Sequence, residues 1–102
     1  MATHNASTPA SDNAREILEL AKLEVAQGRL RDAADGAQRV LATQSSDASV
    51  RHDLALLLAE LGQTDAAIMQ MREAHRLLPK SPEILVNLGT LLQYWKRKRN
   101  SP

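Results

Sequence analysis

The stretch from Asp47 to Ser81 reappears in skeleton 34 residues to either side, and that recurrence commits the chain to stacked copies of one small unit. Leu20, Leu54 and Leu88 align at this period, as do Leu23, Leu57 and Leu91. Gly28 aligns with Gly62, and Ala33 with Ala67. Within the stretch, Val50, Leu54, Leu57, Leu58 and Leu61 recur at the spacing of one helical face. Ala67, Ile68, Met71, Ala74, His75 and Leu78 make a second stripe after the break at Gly62, and Pro79 closes it. The unit is therefore a pair of amphipathic helices, and the chain is all-α.

A helix pair of this period, with a small residue in each helix, Gly at the turn and Pro at the end, resembles the tetratricopeptide repeat. The resemblance runs from about Asn13 to Trp95. It implies a right-handed superhelix of helix hairpins, an α-solenoid, and the reading here is five helices in one domain over residues 13–98. The units are a repeat at 13–46, a repeat at 47–80 and a terminal helix at 82–98. A third turn glycine would fall at position 96, where the chain has Lys96 followed by Arg97, Lys98 and Arg99. The array is thus read as two pairs and one further helix.

Local signals set the expected boundaries. Residues 1–12, rich in Ala, Ser, Thr and Asn, are expected to form a disordered tail, and residues 99–102 a C-terminal tail. Asn13 with Glu16 fits a capping box, with Asp12 and Ser11 as alternative caps, so the first helix is expected from Asn13 to about Gln27. It should bury Ile17, Leu20, Ala21 and Leu23. The second, about Leu30–Thr43, is thinner, with Ala33, Ala34 and Ala37 where the next repeat has Ala67, Ile68 and Met71. Gly36 within it is read as a point of close helix packing or as simple tolerance of a poor helix former. Asp47 is placed to cap the third helix and Thr64 the fourth, while Ser81 before Pro82 restarts the chain as the fifth.

Composition narrows the chemistry. The formal net charge is only +1, which argues against a whole-surface affinity for nucleic acid. There is no cysteine to serve as nucleophile, disulfide or zinc ligand. His4, His52 and His75 are scattered with no second ligand a helical turn away, so no metal site is expected, and His75 reads as a partly buried structural residue. Gly28, Gly36, Gly62 and Gly89 are too dispersed for a phosphate loop, and no serine stands beside a base. The chain is read as non-enzymatic and free of cofactors. No run approaches the ~18 apolar residues of a membrane span. The first 13 residues lack a basic leader and an apolar stretch, and the expected location is cytoplasmic.

The resemblance also implies where a partner would sit, since in the family the first helices of successive pairs line a concave groove that receives a peptide or a helix. The corresponding positions are Leu18, Lys22 and Val25, then His52, Leu56 and Glu60, then Val86, Thr90, Gln93 and Tyr94. Leu56 is the informative one, because it interrupts an otherwise polar arc. A subset of the family clamps C-terminal carboxylates with Lys, Asn and Arg; the matching places here hold Leu18, Lys22, Asp53, Glu83 and Asn87. Two carboxylates would repel such an end, so the expected partner is a protein or peptide with an apolar face. His52 and Asp53, about 100° apart on a helix, are not expected to pair.

Alternatives to this adaptor are a self-association module, with Leu85, Leu92 and Trp95 as the interface of a homo-oligomer, and the N-terminal regulatory part of a larger enzyme. The basic run Lys96, Arg97, Lys98 and Arg99 admits nucleic acid or an anionic membrane. Its simpler role is to complement the dipole at a helix end, and that reading is preferred.

Overall fold

Two glycines in left-handed conformations, Gly28 (φ 78°) and Gly62 (φ 82°), turn the chain back on itself and close each helix pair. The computed structural model describes residues 10–100, with side chains from Asn13 onward. They form five helices: α1 Ala10–Ala26, α2 Leu30–Thr43, α3 Ala48–Glu60, α4 Thr64–Leu77 and α5 Pro82–Arg99. α1 packs on α2 and α3 on α4 as hairpins. α3 also touches both α1 and α2, and α5 packs on α4.

Two of the expected caps are in place. Asp47 accepts from the Ser49 N–H at 2.9 Å, and Ser81 accepts from the Ile84 N–H at 3.3 Å with Pro82 in the first turn. Each such cap stabilises its helix by about 1 kcal/mol. The fourth helix is different. Gln63 occupies the cap position with no side-chain bond, and Thr64 is already helical, its hydroxyl buried without a partner.

The start of α1 also differs from expectation. It begins at Ala10, so Asn13 lies within the helix and is not its cap. Ala14 is fully buried, and a helix beginning at Asn13 would leave that core residue in a fraying first turn. The expected disorder of residues 1–9 and the tail residues 101–102 fall outside the described residues.

The core is built from small and branched residues: Ala14, Leu18 and Ala21 of α1, Ala33, Ala37 and Val40 of α2, and Leu54, Ala55, Leu57 and Leu58 of α3. Ala67, Ile68, Met71 and Ala74 of α4 and Ile84, Leu88 and Leu91 of α5 complete it. Gly36 lies so close to α1 that a Cβ built on it would stand 3.1 Å from that of Ala21. Leu78, expected in the stripe of α4, lies beyond its last turn and is exposed.

In α1 the apolar face is rotated from the one expected. Leu20 and Leu23 are 54% and 60% exposed, while Leu18 is at 0%. Leu88 and Leu91 are buried on a helix that packs on α4, the hairpin before it, and the period puts Leu54 and Leu57 in the same relation to α2. Among the described residues no helix precedes α1, so the same positions there face solvent.

That difference predicts opposite outcomes for two equivalent leucines. Leu54→Ala should cost about 2 to 5 kcal/mol as a core deletion, whereas Leu20→Ala should change stability by no more than about 0.5 kcal/mol. Urea denaturation of the two variants checks both values. The alanine-rich first hairpin should also be the softer one, with faster amide exchange in α1 and α2 than in α3 and α4.

Candidate functional site

Stacking at a fixed period sets like positions of successive first helices side by side, and the polar groups of α1, α3 and α5 meet there. Arg15 of α1 donates to Asp53 of α3 at 2.7 Å and also bonds the Ser49 hydroxyl, 34 residues on. Lys22 lies 3.6 Å from the same Asp53 carboxylate and 3.2 Å from Glu19. His52 reaches Asp53 through Nδ1 at 3.2 Å and Asn87 of α5 through Nε2 at 2.8 Å. With Asn87 donating its amide to Nε2, a neutral imidazole protonated on Nδ1 satisfies both contacts. Asp53 thus lies at the centre of a network that ties the three first helices together.

This network corrects two expectations. His52 and Asp53 do pair, because their side chains lean toward one another across the angle that separates their Cα atoms. Asp53 is not an unmet repulsive charge, because two cations from the preceding repeat neutralise it. Partial burial pushes its carboxyl up, but the Arg15 hydrogen bond, the Lys22 charge and the His52 contact outweigh that and hold it below its ordinary value.

Beside the network is a cavity of about 440 Å³ lined by Lys22, Asp53, Leu56, Leu57, Ala59 and Glu60. Its floor is apolar and its rim charged. Leu56 is 39% exposed and Leu57 is buried, so the surface leucine continues directly into the core. Lys22, Leu56 and Glu60 are therefore brought together as the sequence suggested.

The other expected groove residues separate into three groups. Leu18 is core and not groove: Leu20 and Leu23 took the solvent side of α1 in its place. Val25 packs, partly buried, against the core, and His52 is mostly buried and engaged with Asp53 and Asn87. Val86, Thr90, Gln93 and Tyr94 are exposed on α5 but do not line the cavity; Thr90 donates to the Val86 carbonyl at 3.0 Å, and the Lys98 ammonium lies 5.7 Å from the Tyr94 ring. Arg15 was missed by sequence reasoning. Its signal was the period itself, which puts Arg15 level with Ser49 and Glu19 level with Asp53. Among the described residues no group of three His, Asp or Glu side chains converges to hold a metal, and no helix is long and apolar enough to cross a membrane.

The Asp53 network sets an acid limit. Because the folded carboxyl ionises more readily than the unfolded one, its stabilisation is complete above the unfolded value of about 3.9 and is lost as pH falls through the folded value. Asp53→Asn should be less stable than the parent at neutral pH, and the gap should close on acidification below about pH 4. Urea midpoints measured from pH 7 to pH 2 check this.

Comparison with known proteins bears on the same region. The family model of the tetratricopeptide repeat matches residues 48–91, which span α3, α4 and most of α5. No curated protein matches the chain. Repeats of this kind generally mediate protein–protein interactions and are typically non-catalytic. The match covers one whole hairpin and the first part of the helix after it, and α1 with α2 repeats the same hairpin, glycine turn included, on the other side; residues 48–91 match the tetratricopeptide repeat, and the five helices form a tetratricopeptide-like all-α helical repeat fold.

Proposed function

We propose that the chain is a non-catalytic adaptor that holds a helical or extended segment of a partner protein in the concave groove of its first helices. The observation that carries this reading is the meeting of Lys22, Leu56 and Glu60 around one cavity with an apolar floor. An apolar side chain of the partner fits over Leu56 and Leu57, where contact removes from water a leucine that the core leaves half open. Glu60 has no ion-pair partner among the described residues, so it is available to a partner's cation. Lys22 is already shared between Glu19 and Asp53 and contributes less. Val86, Thr90, Gln93 and Tyr94 extend the same surface along α5 and offer contacts for the rest of the segment.

A peptide selected against the full chain from a display library serves as the probe. Leu56→Glu should weaken its binding by at least about tenfold, as expected for loss of a central apolar contact. The far-ultraviolet circular dichroism should not change, because Leu56 is not enclosed by the core. Unaltered affinity would place binding elsewhere on the surface.

A further inference from the structure

The period that aligns the leucines also aligns three small residues, Ala21, Ala55 and Gly89. Ala21 and Ala55 are fully buried, and the approach of Gly36 to Ala21 shows what this position does: it lets the second helix of the pair come close. Gly89 is exposed, and a Cβ built on it meets nothing within 4 Å. Around it Leu85 is 53% exposed. Leu92 and Trp95 border an apolar cavity of about 240 Å³ shared with Ile68 and Met69 of α4. Among the described residues, α5 thus presents the contact face of a first helix with no second helix on it.

The charge beside that face is one-sided. Counting about 100° per residue, Lys96 lies on the same side of α5 as Gly89. Arg99 is held over the Trp95 ring at 5.0 Å, and Arg72 of α4 borders the cavity. None of the three has an ion-pair partner among the described residues, and the one carboxylate lining the cavity is Asp65.

We propose that this face receives an amphipathic helix of another protein, antiparallel to α5 and acidic over its N-terminal half, in the place a sixth helix of the array would take. The antiparallel direction is that of both hairpins, and it lays the N-terminal half of the incoming helix beside Lys96 and Arg99. Acidic residues there answer those cations and also suit the positive end of their own helix dipole. A second copy fits less well. Its α5, laid antiparallel, would bring only Glu83 near the basic end, and Glu83 stands about 120° round the helix from Gly89.

The test uses the full chain and a labelled peptide copying residues 63–78, the helix that fills the equivalent place on α3, made with Thr64→Glu and Ala66→Glu in its first turn. The acidic peptide should bind more tightly than the unaltered copy, with an affinity that falls as salt rises. Gly89→Gln should weaken that binding at least about tenfold, with a melting temperature unchanged or higher because the new side chain points into open space and replaces a poor helix former. Lys96→Glu with Arg99→Glu should abolish the preference for the acidic peptide, and Leu56→Glu should leave binding as it was. No binding at about 1 mM peptide, equal affinity for the two peptides, or indifference to Gly89→Gln would overturn the proposal. So would loss of binding in Leu56→Glu, which would put the peptide in the groove. A dimer in sedimentation equilibrium that Gly89→Gln returns to monomer would overturn it in favour of a second copy.

Discussion

Everything in the fold depends on how closely two helices can approach where small residues face one another. Ala21 against Gly36 is one instance, and Ala33, Ala37, Ala55, Ala67 and Ala74 are likewise fully buried. With no Phe and only one Trp and one Tyr, the chain has no large rings to fill wide gaps between helices, so the helix axes must lie near one another. Leu54, Leu57, Leu58 and Met71 then occupy what space remains, each nearly or wholly enclosed. The repeat period carries part of this constraint: it returns a small residue at Ala21, Ala55 and Gly89 and at Ala33 and Ala67, whereas Gly36 is level with Gln70.

Between hairpins the leucines of α3 and α5 pack on the hairpin before them, and the network around Asp53 adds directional polar contacts across the first helices. Each ion pair in it is partly exposed and contributes no more than about 1 kcal/mol. Their value is geometric, since Arg15 reaches two residues of α3 at once and His52 reaches on to α5. A consequence follows for recognition. The charges most central to the first-helix face are already satisfied by one another, which leaves an uncommitted leucine and an uncommitted carboxylate to meet a partner.

The limits of sequence reading follow from the same physics. Helices α3 and α5 were legible because their leucines pack on a preceding hairpin, so period, stripe and burial agree. In α1 the period and the burial part company: Leu20 occupies the position of Leu54 but lacks the hairpin that would cover it, and Leu18 takes the inward side. An apolar stripe states that a face can be buried; a neighbour decides whether it is. The caps at Asp47 and Ser81 were legible from residue type, whereas Thr64 missed its role because the backbone turns into the helix one residue earlier, at Gln63. Lys22, Leu56 and Glu60 of the candidate site could be read from one face pattern. The role of Asp53 could not, because its main partner, Arg15, lies in the preceding repeat.

The two ends of the described array lack different things, and the difference bears on what each can accept. At α1 the exposed groups are the side chains of Leu20 and Leu23, which many surfaces could cover because side chains alone would make the contact. At α5 the exposed position is a glycine between leucines, a depression that only a close backbone can fill. A loop brought that near would bury peptide groups without hydrogen bonds, at a cost of several kcal/mol. A helix satisfies its own backbone, so the shape of the α5 face selects for helical structure, and the cations at its end then select among helices by charge.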